Sequence, residues 1–198
     1  MLFSSIDVFC HVVDNFGDIG FVYRFAKEFR IRHPSCRVRV FCDDLAPLFL
    51  MLPAAGEHKS IQEIDGITYV DSGHLTDDGL IGQLGPADVV IEAFGCDIHM
   101  NYLQKLLPHS ILWVNLEHLS AEPWVDGYHL KPSITTGSAV KKYFFMPGLR
   151  ETTGGVLIDS QVERARPGLL KNRLDYLNGV LKNFRIRSEN LEGSLFGT

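Results

Sequence analysis

Asp14 and Asp18 bracket the segment Asp14-Asn15-Phe16-Gly17-Asp18-Ile19-Gly20, which follows an apolar run from Ile6 to Val13. A strand, a tight loop and the start of a helix, in that order, form the place where α/β proteins hold ligands. Nucleotide sites of this kind carry neutral glycines, because the partly positive helix N-terminus receives phosphate. Two carboxylates do the opposite: they repel an anion and attract a cation or a proton-donating group. The residue types predict a seat for a positively charged substrate. The structural alternatives are a helix N-cap for Asp18 and an Asx turn for Asp14. Capping accounts for one aspartate and leaves the other unexplained.

Positioning two such acids requires a strand before them and a helix after them. Ile6–Val13 is continuously apolar, as expected of a strand covered on both faces. A helix is predicted from about Ile19 to Arg32, with Phe21, Phe25 and Phe29 as its core stripe and His33-Pro34 as its stop. Further strands are predicted at Arg37–Cys42, Ile67–Val70, Ala87–Phe94, Ile111–Leu116 and Lys142–Met146, with short helices at Ala46–Leu52 and Asn101–Leu107. Asp43-Asp44 reads as a turn or helix cap, and Lys141-Lys142 as a solvated strand start. Strands alternating with helices give an α/β, Rossmann-like fold with a mainly parallel sheet. After Gly154-Gly155 the chain becomes rich in Arg, Lys and Leu, and residues 162–187 read as a solvated helix or connector. Leu195-Phe196-Gly197 looks like a strand beginning as the chain stops.

At 198 residues and 45% hydrophobic content, the chain can build one substantial core. Its net charge of -5 argues against a general nucleic-acid binder. No apolar run reaches membrane-spanning length and no leader pattern stands at the N-terminus, so no membrane partner and a cytoplasmic location are expected. The four cysteines (Cys10, Cys36, Cys42 and Cys96) form no C-x-x-C pair. Together with eight histidines lacking helical H-x-x-x-H spacing, they predict free thiols in a reducing compartment and no metal.

Four stretches in order carry a resemblance. They are 12–20, with Arg24 following; Ile91-Glu92-Ala93-Phe94-Gly95-Cys96-Asp97; Trp113 to Glu122, containing Asn115-Leu116-Glu117-His118; and Lys142 to Gly148, running on to Gly154-Gly155-Val156-Leu157. Together they resemble the EarP family of protein-arginine rhamnosyltransferases that modify elongation factor P. The resemblance implies the N-terminal domain of a GT-B glycosyltransferase. It also implies inverting transfer of rhamnose from dTDP-rhamnose to an arginine of elongation factor P, with the nucleotide sugar as substrate and no cofactor. On that basis residues 1–160 are an acceptor-binding domain, and residues 161–198 are a linker and the start of a missing nucleotide-sugar domain. Asp18 is the implied general base and Asp14 its partner in holding the guanidinium. Glu117 is a third acceptor carboxylate, and the loop amides of Asn15, Phe16 and Gly17 are offered to the donor. The chain departs from the family at Tyr23, where Trp is usual, at His118, where Tyr is usual, and at Lys131-Pro132-Ser133-Ile134, a partial match to Pro-Ser-Pro.

The chemistry agrees with the bottom-up reading of the loop. Arginine is always protonated and its nitrogens are poor nucleophiles, so a catalyst must orient the guanidinium and take a proton. Paired carboxylates do both. Two other classes fit less of the sequence. One is a non-catalytic, truncated binding module. The other is a magnesium-dependent phosphoryl-transfer enzyme with Asp14, Asp18 and Asp43 around the metal.

Overall fold

The computed structural model describes residues 3–14, 16–52, 59–135 and 138–183. They fall into two compact units divided between Leu157 and Ile158. The first is built on seven strands: β1 (Ser5–Cys10), β2 (Arg37–Cys42), β3 (Ile61–Ile64), β4 (Ile67–Asp71), β5 (Val89–Ala93), β6 (Leu112–Leu116) and β7 (Lys142–Phe145). Their order in the sheet is β3-β4-β2-β1-β5-β6-β7, parallel throughout except for the β3–β4 pair. The chain runs outward from β1 to one side and then returns to start β5 on the other. The switch point of the sheet therefore lies between β1 and β5, where a crevice opens at the strand carboxyl ends.

Two helical layers cover the sheet. Ile6, Val8 and Cys10 of β1 pack with Ile19, Val22 and Ala26 of α1 (Gly17–Arg32) and Leu48 of α2 (Ala46–Met51). On the opposite face Phe9, Phe41 and Trp113 meet Ile81 and Leu84 of α3 (Asp78–Leu84) and Tyr102 of α4 (Met100–Lys105). The fully buried stripe of α1 is Ile19, Val22 and Ala26; Phe21, Phe25 and Phe29 flank it, half-buried. The second unit contains α5 (Ser160–Lys171) and α6 (Arg173–Asn183), separated at Asn172. Asp159 caps α5 by accepting from the amides of Gln161 and Val162. Leu195-Phe196-Gly197 lies outside the described residues.

The first strand ends at Cys10, earlier than its apolar run predicts, because carboxylates take the amides that would have continued the ladder. Asp43 Oδ1 accepts from Val12 N at 2.9 Å, and Asp18 Oδ2 accepts from Val13 N and Asp14 N at 3.1 and 3.0 Å. Strand β3 and helix α3 carry too weak a pattern to be predicted. Yet Asp65 (φ 55°) and Gly66 (φ 74°) form the two-residue turn between β3 and β4 that an Asp-Gly pair favours. A side chain at Gly66 would meet Arg30, whose Nε donates to the Gly66 carbonyl.

Two buried ion pairs cross the sheet. Asp7 on β1 receives both Nε and Nη2 of Arg39 on β2, at 2.7 and 2.6 Å, and the Tyr102 hydroxyl at 2.5 Å. The Arg39 guanidinium also donates to the Leu84 and Gly85 carbonyls, so its charge is well satisfied away from water. Glu92 on β5 pairs with Lys142 on β7, the ammonium lying 2.7 Å from Oε2 and 4.6 Å from the Trp113 ring centre. Lys142 is therefore not the solvated strand start that its sequence suggests. Burial pushes the Glu92 carboxyl above its ordinary range, against the opposing pull of Lys142.

Asp88 ties the start of β1 to the start of β5. Hydrogen bonds from the Ser4 amide and hydroxyl, and from Ser5, hold its carboxyl below the ordinary range. A carboxylate lowered in the folded state contributes stability above its unfolded pKa, and loses it as pH falls through the folded one. Asp88→Asn is expected to lower the urea midpoint at pH 7, and the gap from wild type should close on acidification toward pH 2. A gap independent of pH would show that the anchoring does not depend on the charge.

Candidate active site

Asp14 and Asp18 come together at the switch point. With His11, Phe94, Asp97 and His118 they line a cavity of about 650 Å³ above the carboxyl ends of β1 and β5. Asp18 is the second residue of α1, inside the helix. The N-cap position is Phe16, which makes no side-chain capping bond. Capping therefore does not explain Asp18. Its carboxylate reaches backward to the amides of Val13 and Asp14 and fixes the approach of the loop to the helix.

Those two bonds fall on Oδ2. Asp18 is buried, whereas Asp14 is exposed. The pair thus consists of one anchored carboxylate and one reaching into solvent. Gly17 makes the pairing sterically possible: an added Cβ there would collide with Asp14 Oδ2. The amide of Gly17 is bonded to the Asp14 carbonyl at 3.1 Å, so it is already engaged within the turn. Phe16 is exposed beside it, and Asn15 lies outside the described residues.

Glu117 sits at the carboxyl end of β6, half-buried, with Oε1 accepting from Asn115 Nδ2 at 2.8 Å. It does not line the cavity; its neighbour His118 does. The His118 imidazole lies flat on the Phe94 ring, centroids 4.0 Å apart and planes 5° from parallel. Asp43 turns away from a metal-like arrangement. It holds His11 Nδ1 at 2.5 Å while accepting from the Val12 amide. Among the described residues, no three His, Cys, Asp or Glu side chains converge as metal ligands.

Thiols lie in the cavity wall, at Cys96, and in the strands beneath it. Cys10 and Cys42 are register partners on β1 and β2. Their mutual hydrogen bond, then burial, pushes the Cys10 thiol far up. Burial raises Cys96 to about 12. Neither Cys10 nor Cys96 offers a thiolate nucleophile at neutral pH. Three carboxylates (Asp14, Asp18 and Asp97) face two imidazoles around the cavity, so its field favours a cation. Its partial enclosure by Phe94 and His118 favours a flat one. Sequence reasoning missed Phe94 and Asp97 as cavity residues. The Phe94-Gly95 step straight after a buried strand is the signal that pointed there.

Among the described residues, no helix is long and apolar enough to cross a membrane. The family model described as Elongation-Factor P (EF-P) rhamnosyltransferase EarP matches residues 6–197. Three relatives are each named protein-arginine rhamnosyltransferase. That of Pseudomonas putida is 38% identical over 182 residues, covering 89% of this chain and 46% of its own length. Those of Pseudomonas aeruginosa and Shewanella oneidensis are 36% and 37% identical, covering 86% and 80% of this chain and 42% and 40% of their own lengths. The chain thus spans less than half the length of these relatives. With a match that runs from within β1 through α6 and takes in the whole cavity, the chain belongs to the EarP family of rhamnosyltransferases.

Proposed function

We propose that this chain is the acceptor-holding half of a protein-arginine rhamnosyltransferase, which moves rhamnose from dTDP-rhamnose to one arginine of elongation factor P. The observation that carries the proposal is the Asp14–Asp18 pair at the mouth of an acidic, aromatic-walled cavity at the switch point. Asp14 receives guanidinium N–H groups from the solvent side, and Asp18 Oδ1 receives them from below. Charge-assisted, paired hydrogen bonds of this kind orient a planar cation.

In the reaction a guanidinium nitrogen attacks the anomeric carbon as the bond from that carbon to the diphosphate oxygen breaks. The nitrogen's proton passes to the Asp18 carboxylate, and the nucleotide leaves as the diphosphate. One direct displacement inverts the anomeric carbon. The leaving diphosphate needs cationic or amide stabilisation, which this acidic cavity does not favour. The nucleotide sugar is accordingly held mainly by a further domain, with exposed Phe16 at its edge. The cytoplasm, where elongation factors work, is the expected location.

The reading is tested by titrating labelled chain with an elongation factor P domain carrying arginine or lysine at the acceptor position. Mass spectrometry after addition of dTDP-rhamnose reads transfer. Binding that perturbs the amides of Val13 to Asp18 and is weakened by the lysine substitution supports it. A folded chain that binds neither domain overturns it.

A further inference from the structure

Phe94 adopts φ 61° and Gly95 φ 65°, consecutive left-handed residues in a tight turn closed by Cys96 N donating to Ala93 O at 3.3 Å. The first position of such a turn favours Asn, Asp or Gly, and a bulky aromatic there is rare. An outlier of this kind persists only where its surroundings over-determine it, and such residues cluster at functional sites. Here the surroundings are specific. The Phe94 amide is fixed to the Leu116 carbonyl at 2.7 Å, and the ring packs edge-on against Phe21 at 5.5 Å and face-on under His118 at 4.0 Å. The strained turn places an aromatic base beneath the imidazole. His118, exposed above it, lines the same cavity as Asp14 and Asp18.

We infer that the Phe94–His118 stack is the platform on which the acceptor's guanidinium lies, and that His118 determines selectivity for arginine over lysine. The inference rests on the acceptor reading above and deepens it. Carboxylates alone attract either cation. A guanidinium is flat, weakly hydrated and stacks on ring faces, whereas an ammonium is compact and strongly hydrated. Asp14 and Asp18 thus supply the attraction. The stacked rings supply the discrimination, by rewarding a planar partner held at a fixed height above the acids. Phe94 is a positioning residue in this scheme, acting through the ring it supports.

The experiment is an NMR titration with N-acetyl-arginine methylamide and N-acetyl-lysine methylamide as probes, on wild type, His118→Ala, His118→Phe and Asp18→Asn. Wild type is expected to prefer the arginine probe. His118→Ala should weaken arginine binding roughly fivefold, leave lysine binding unchanged and bring the two toward parity. His118→Phe, which keeps a ring in place, should restore the preference. A merely structural stack would weaken both probes together, or neither. Unchanged selectivity in a folded His118→Ala variant overturns the inference. If arginine binding in that case remains sensitive to Asp18→Asn, the acceptor reading stands without it. Wild type that binds neither probe overturns both.

Discussion

If the acceptor reading proposed above holds, Asp18→Asn costs roughly 30-fold or more in affinity for the acceptor arginine. On the proposed function, transfer by the enzyme that contains this half should fall about 10²- to 10⁴-fold, the usual contribution of a positioned proton acceptor. The fold should be nearly untouched. An asparagine oxygen still accepts from the Val13 and Asp14 amides, so the loop keeps its anchor and loses only the charge. Asp18→Ala removes both. It should add about 1 kcal/mol of destabilisation for two loop amides returned to water, and broaden the resonances of the 11–14 segment. Calorimetry with the elongation factor P domain and a thermal melt separate the two effects. If Asp18→Asn binds and transfers as wild type does, the carboxylate is a loop anchor, and the proton acceptor must be sought elsewhere around the cavity.

The largest loss of stability is expected from breaking the Asp7–Arg39 pair. Both side chains are almost wholly removed from water, 0% and 4% exposed. Arg39→Met leaves the Asp7 carboxylate with only the Tyr102 hydroxyl, and should cost about 3–5 kcal/mol, the penalty for a buried charge without its partner. Tyr102→Phe removes a single charge-assisted bond and should cost about 1.5–3 kcal/mol. Replacing both charges, as Asp7→Leu with Arg39→Met, should recover much of the loss, because an apolar pair needs no desolvation. Urea unfolding of the three variants measures this. A cost under about 1 kcal/mol for Arg39→Met would mean that water reaches the carboxylate.

The same cluster sets an alkaline limit. Burial, then the Asp7 charge, raises the Tyr102 phenol above its ordinary value. A group raised in the folded state gives stability below its unfolded pKa and loses it above. Unfolding should therefore become easier beyond about pH 10.

The parallel strands were legible because their sequences are apolar on both faces: Val38-Arg39-Val40-Phe41 and Val89-Val90-Ile91 state their burial directly. The charges within those runs were not legible as partners. Arg39 finds Asp7 across 32 positions, and Lys142 finds Glu92 across 50, distances at which local pattern carries no information. Strand β3 alternates weakly along Ile61-Gln62-Glu63-Ile64, and its stability comes from pairing with β4 rather than from its own residues. At the site, the two aspartates could be read from their spacing around a strand–helix junction. Glu117 could be placed at a strand end, but its contact with Asn115 depends on side-chain direction two residues away. Gly95 announces the turn's second position, but the left-handed Phe94 at its first is decided by what surrounds it.

The outer edge of β7 has a further consequence. The segment from Leu130 to Ser133 runs alongside it, with Leu130 N donating to Phe144 O, Phe144 N to Lys131 O and Ser133 N to Lys142 O. An unpaired edge is where another protein adds a strand of its own, gaining affinity from main-chain bonds whatever its side chains. Here those main-chain groups are already spent within the chain. A protein approaching this side of the sheet must be recognised by its side chains and its surface shape, so the partner can be told apart by what it displays rather than by its capacity to extend a sheet.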